Sequence, residues 1–443
     1  MKKKSLISLL TFMSVFAVAL CACDNKKGEE KSEAPKPAFN VTINLDEISE
    51  PFDIHTDTQN GYLHDDYTNI DAYSKASGDN SKPRALELSW SISDAELELT
   101  ALRLNLYEKG TSNVVSYLLD KDATNVSIDN LKLDQEYEWT ITAVAGDKEV
   151  SSNQSAFKTE EGIVRFINVG GLSNVRDLGG YTGLNGKKIK QGLLYRGEEF
   201  NKQNNGRAGS SASDYHYDPS KASADDPYGQ KINEEGINTV TNILKLKTEA
   251  DIRGYETFDW GTRINYSPAE CGGLVGALPD GSKDEEKGVV SIIEEVNYVI
   301  CPVHTNRDKI YYDNYGKTAC KNFFSMLADE DNYLPLYFHC AQGKDRTGFL
   351  AYLFEALMGC SKEDMLRDYL LSNLSTTGTV SLSKLNNNYN YVDYFDGKEV
   401  STEGGLKYQA IGETMAERAY NYLLECGLTE QQLDKIRDTF LED

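Results

Sequence analysis

Apolar and polar positions change their spacing partway along the chain. Over residues 84–158 they alternate with a period of two, in Leu86-Glu87-Leu88-Ser89-Trp90-Ser91-Ile92, Leu102-Arg103-Leu104-Asn105-Leu106-Tyr107 and Tyr137-Glu138-Trp139-Thr140-Ile141-Thr142-Ala143-Val144. Such alternation in β-branched and aromatic residues marks half-buried strands. Glu108-Lys109-Gly110 and Ala145-Gly146-Asp147 supply turns between them. Several short strands at this spacing predict a β-sandwich, assigned here to residues 39–160. Val41-Thr42-Ile43-Asn44-Leu45 also alternates, and the Asp-, Asn- and Tyr-rich stretch after it reads as loop.

Thr159-Glu160-Glu161-Gly162 reads as a linker, and from Ile163 strands alternate with helices. That pattern predicts an α/β domain over 163–443, with a central, mostly parallel sheet flanked by helices. Leu334-Pro335-Leu336-Tyr337-Phe338 suits a buried strand, and Thr347 to Met358 a buried helix. Ile411 to Cys426 and Glu430 to Phe440 read as amphipathic helices. Thr429 and Gln432 start the second with a capping-box pattern, and Leu433, Ile436 and Phe440 share one face. Residues 201–231 and 374–404 are polar insertions, of the kind that is either functional or disordered.

Composition adds location and excludes a partner class. The chain of 443 residues carries a formal net charge of −24, which argues against nucleic-acid binding. Lys2-Lys3-Lys4 and the apolar run Leu6 to Leu20 resemble an export signal, residues 1–22. Leu20-Cys21-Ala22-Cys23 is similar to a bacterial lipobox, with Cys23 as the acylated residue. Residues 23–38 then form a solvated tether. The expectation is an exported protein held to a bacterial membrane by acyl chains on Cys23. Of the eight cysteines, Cys271, Cys301, Cys320, Cys340, Cys360 and Cys426 lie in the C-terminal part, where export permits pairing. No His/Cys/Asp cluster has metal-ligand spacing, so neither metal nor cofactor is expected.

The chemistry concentrates in His339-Cys340-Ala341-Gln342-Gly343-Lys344-Asp345-Arg346-Thr347-Gly348. Placed between a strand and a helix, this loop turns its main-chain N–H groups and the helix N-terminus toward one point, which makes an anion site. Cys340 starts the loop, so its sulfur lies beneath a bound phosphate, where the helix dipole and nearby cations favour thiolate. Arg346, six positions on, is placed to grip two phosphate oxygens. Gly343 permits the tight curl, Thr347 is placed to hydrogen bond the sulfur, and His339 to orient the cysteine. Ala341, Gln342 and Gly348 complete the cradle. These residue types point to phosphomonoester hydrolysis by double displacement, without metal.

The loop resembles that of the atypical bacterial tyrosine/serine phosphatases that also act on phosphoinositides. Asn174-Val175-Arg176-Asp177-Leu178-Gly179-Gly180-Tyr181 resembles that family's N-terminal signature, Gly192-Leu193-Leu194-Tyr195-Arg196 its next strand, and Asp368-Tyr369-Leu370-Leu371-Ser372-Asn373 a helix after the catalytic one. The resemblance implies that Lys344 favours polyanionic substrates and that Asp345 is the general acid. Arg176 counts as a candidate substrate contact, or alternatively as half of a structural pair with Asp177. Where the family has Asp-Leu-Arg after its second strand, the corresponding stretch is taken as Lys245-Leu246-Lys247-Thr248-Glu249, without the Asp. Its lysines either bind a second phosphate or sit at a solvated strand end. Substrates implied are phosphorylated proteins or inositol phosphates and phospholipids. Leu131 to Trp139 resembles the tyrosine-corner stretch of fibronectin type III domains, implying a spacer or binding module. The competing functional reading is a surface binding protein whose phosphatase fold is inert.

Overall fold

The computed structural model describes residues 39–74, 78–201, 207–208, 216–217, 230–253, 292–301, 303, 314–383, 385, 390–402 and 404–442. The proposed signal, tether and Cys23 lie outside them, as does Cys271. Contacts divide the chain into two units.

The first unit comprises the described part of Met1–Phe52 with Leu86–Ile128 and Gln135–Thr159. It holds two antiparallel sheets. One orders the strands Thr42–Leu45, Leu86–Ser93 and Asn125–Ile128. In the other, Ala101–Glu108 lies between Val114–Leu119 and Glu136–Ala145, and the latter strand pairs on its far edge with Lys148–Ser151 and Ser155–Lys158. The period-two pattern is the cause: Leu102, Leu104 and Leu106 are buried on one strand, Tyr137, Trp139 and Ile141 on the next.

The second unit comprises Asp53–Ala85, Asp129–Asp134 and Glu160–Asp443. The sandwich expected over 39–160 is therefore interrupted twice. Asp53–Ala85, expected as loop, contains the helix Asp57–Leu63, capped by Thr56 and Gln59 in a capping box. Its Tyr62, with Ile70, lies in the core of the second unit. A helix of seven residues shows too few turns for its period to stand out in a polar sequence.

The sheet of this unit has six strands, ordered Asn297–Ile300, Thr248–Asp251, Leu336–His339, Leu194–Gly197, Arg176–Asp177 and Arg165–Phe166. The first four are parallel and the last two antiparallel. Leu336 and Phe338 enter one hydrophobic cluster, which also takes in residues of the helices Asn314–Ala328, Asp345–Met358, Lys362–Leu371, Met415–Glu425 and Glu430–Phe440. Tyr337 enters a second cluster with Tyr195, Val240 and Val296. The sheet is thus covered on both faces, and its central strands are buried throughout. Helix Asp345–Met358 is buried from Thr347 onward, as its apolar run predicts. The last helix carries the expected Thr429–Gln432 capping box and buries Leu433, Ile436 and Phe440.

Candidate active site

Strand Leu336–His339 ends at the centre of the sheet, with His339 in register with Asp251 on one side and Gly197 on the other. The chain turns through Cys340 to Lys344 and enters helix Asp345–Met358. Carboxyl ends of parallel strands are where such folds form their clefts. The cleft here measures about 700 Å³ and is lined by Gly171, Glu198, Glu199, Lys231, Cys340, Ala341, Gln342, Lys344, Asp345, Arg346, Thr376 and Thr377. Seven of the predicted site residues thus lie in or at it, from Cys340 to Arg346, Gly343 forming part of the turn beneath.

Cys340 is almost wholly buried, at 4% exposure. Burial pushes its thiol pKa up, but the Arg346 charge and hydrogen bonds from the Thr347 hydroxyl and the Gln342 and Thr347 main-chain N–H groups outweigh it, and the net shift is downward. The Thr347 hydroxyl also accepts from Cys340 N at 2.9 Å. Gly343 adopts φ +67°, and a Cβ there would stand 2.2 Å from the Gly197 carbonyl oxygen. Only glycine lets the loop lie so close to the neighbouring strand. His339 is buried, its Nδ1 2.8 Å from the Cys340 carbonyl and its Nε2 3.0 Å from Glu249 Oε1. Phe200 stacks on its ring at 5.7 Å.

Asp345 opens the helix and is half-buried, with Tyr369 OH donating to its Oδ1 at 3.2 Å. Lys344 donates from Nζ to the Thr377 carbonyl at 2.8 Å, so the stretch read as a second polar insertion closes one wall of the cleft. Also in the lining, Lys231 pairs with Glu198 at 2.6 Å, and Glu198 accepts from Ser173 N at 2.6 Å.

Two expectations are corrected. Arg176 does not line the cleft: it is 1% exposed and bonds Asp368 and Asn174. Nor does it pair with Asp177, which bonds Arg165 instead; neighbouring strand residues point to opposite faces. Lys245 does not stand in for the family's carboxylate. It occupies a left-handed turn, φ 50°, before the strand Thr248–Asp251. An Asp-x-Arg stretch, Asp251-Ile252-Arg253, stands instead at the strand's other end, with Asp251 opposite His339. All four strand residues are buried, so no alternation marked where the strand began. Arg253 brackets Asp251, at 2.8 Å from Nε to Oδ1 and 2.6 Å from Nη2 to Oδ2, and also bonds Glu199 at 2.7 Å. Burial opposes charge on Asp251, yet Arg253 holds its carboxyl well below the usual range. Asp251 therefore braces the strand end and is absent from the cleft lining.

The sequence marked the segments that hold several residues behind the loop, but not the contacts that these residues make. Asn174 Nδ2 donates to the carbonyls of Gln342 at 3.0 Å and Gly343 at 3.2 Å, and Arg196 Nη2 to that of Gly343 at 2.8 Å. Arg176 and Arg196 converge on Asp368, so the three signature segments meet in one buried ion cluster.

Residues 167–209 and 276–442 match the model of the tyrosine phosphatase family. A protein of Cupriavidus necator that carries the provisional name of tyrosine-protein phosphatase is 25% identical over 203 residues, 46% of this chain. The match spans 61% of that relative's length. Solved structures that match part of the chain include a myokine (12% identity, 29% of this chain and 99% of that one, TM-score 0.17) and the third fibronectin III domain of a human protein (15% identity, 32% and 94%, TM-score 0.17). The sandwich rests on its own strand pairing.

Proposed function

We propose that the protein hydrolyses phosphomonoesters through a Cys340 phosphoenzyme. The observation that supports this most is the Cys340 thiol, held below its ordinary pKa by Arg346 and Thr347 at the mouth of an amide-lined turn. The thiolate attacks phosphorus, the bond to the leaving oxygen breaks, and Asp345 gives that oxygen its proton. Water then attacks phosphorus, passes a proton to Asp345, and the S–P bond breaks, with the Thr347 hydroxyl bonding the departing sulfur. Arg346 holds the equatorial oxygens throughout.

Phosphorylated proteins and inositol phosphates or phospholipids are the substrate classes proposed, with the enzyme tethered outside the cell membrane through acylated Cys23. A chromogenic aryl phosphate, assayed under reducing conditions with residues 24–443, tests the chemistry. Cys340→Ser is expected to abolish turnover, and full activity in that variant would sink the mechanism. A panel of phosphopeptides, inositol phosphates and lipid headgroups then ranks the substrates.

A further inference from the structure

We propose that Asn174, with Arg196 beside it, is the positioning residue that sets the Cys340 loop in its phosphate-binding shape. The inference rests on the phosphatase reading of that loop and adds residues that do not themselves touch the phosphate.

A peptide unit carries its N–H and C=O on opposite sides. For successive N–H groups to converge on an anion, the loop carbonyls must point the other way, into protein. Buried carbonyls need donors. At Gln342 and Gly343 those donors are the Asn174 carboxamide, at 3.0 and 3.2 Å, and the Arg196 guanidinium, at 2.8 Å. Remove them, and the two peptides lose the contacts that select their orientation.

Asn174 is fixed in turn. Its Oδ1 accepts from Arg176 Nη1 at 2.7 Å, and its main-chain N donates to Ser81 Oγ at 3.0 Å. Arg176 donates to Asp368 Oδ1 at 2.6 Å and to its carbonyl at 2.6 Å, and Arg196 Nη1 donates to Asp368 Oδ2. Burial opposes charge on Asp368, but Arg176 and Arg196 hold its carboxyl below the ordinary range. One carboxylate thus anchors both arms of the clamp, through side chains from three separate parts of the chain.

Asn174 sits at φ 60°, where glycine is at ease. Asn174→Gly therefore removes the carboxamide without straining the backbone. The experiment uses the full chain and three readouts: tungstate affinity by calorimetry, kcat/KM on an aryl phosphate, and melting temperature. The loss expected in Asn174→Gly is about tenfold in both tungstate affinity and kcat/KM at 25 °C, the size of one hydrogen bond. Asn174→Asp keeps the acceptor for Arg176 but turns an oxygen toward both carbonyls, so its loss exceeds that of the glycine variant. It also provides the comparison if the glycine variant does not fold.

Tungstate affinity within twofold of wild type, with only the melting temperature lowered, means a merely structural role and overturns the proposal. Failure of the wild type to bind tungstate overturns it too. A wild type that binds tungstate but turns nothing over refutes the proposed function alone, and the affinities still decide the role of Asn174.

Discussion

Glu355 lies in the middle of the helix that leaves the Cys340 loop, 1% exposed, and neither carboxylate oxygen has a hydrogen-bond partner among the described residues. Burial first, and then the Asp368 charge, push its pKa well above 4.5, against the opposing pull of Arg196 and Arg176. The folded state therefore keeps a proton on Glu355 that the unfolded chain gives up. The sign follows from linkage. Below about pH 4.5 both states hold the proton and nothing is lost; above it, folding must hold or take up a proton, and stability falls as pH rises toward the folded value. One proton corresponds to about 1.4 kcal/mol per pH unit across that window. Glu355→Gln keeps the shape and removes the titration. Urea unfolding of both proteins is followed by circular dichroism at 222 nm, at pH 5.5, 6.5 and 7.5. Among the described residues the helices belong to the second unit, so this signal reports the unit that contains Glu355. The stability advantage of the glutamine variant is expected to grow as pH rises across this range, by at most about 1.4 kcal/mol per pH unit. A difference that stays flat across the three pH values refutes a protonated, buried Glu355.

The thiols should differ sharply in reactivity. Iodoacetamide near pH 7 is expected to modify Cys340 first, while Cys301, Cys360 and Cys426, whose thiols burial raises, stay unlabelled in peptide mass spectra. In Arg346→Met the pH profile of Cys340 alkylation should move upward, and an unmoved profile denies the arginine that role. Gly343→Ala sets a methyl group against the Gly197 carbonyl in a left-handed turn, and at least a tenfold loss of tungstate affinity is expected by calorimetry. Tyr369→Phe removes the bond to Asp345, and kcat should fall more for alkyl than for nitrophenyl phosphates, because only poor leaving groups depend on the acid. Equal losses on both substrates count against Tyr369 as the holder of the acid.

Much of the site was legible because its residues are contiguous. Strand, turn and helix around Cys340 follow one another within Leu336–Met358, and each declares itself by composition. The sandwich strands were legible for a similar reason, since one buried face enforces a period of two. What escaped lies far apart in sequence. Asn174 is 168 residues from Gln342, and Arg176 is 192 from Asp368. Glu249 finds His339 across 90 residues, between adjacent strands. The signature segments mark Asn174, Arg176 and Asp368 as candidates, but nothing local says which distant residue each one meets. The position of Lys245 escapes for a different cause: a strand buried on both faces has no alternation to fix its start, and Lys245 precedes the strand rather than ending it.

The division of the chain bears on how the protein can be made. The polypeptide passes between the two units at five points. Arg367 donates to the Tyr62 carbonyl across 305 residues, at 2.8 Å. A ribosome adding roughly 5–20 residues per second delivers that arginine about 15–60 s after the tyrosine. Helix Asp57–Leu63 must therefore wait, solvated, while the sandwich strands that follow it emerge and pair. Its seven residues are too few to stand alone in water, so the second unit acquires its first-made piece near the end of synthesis.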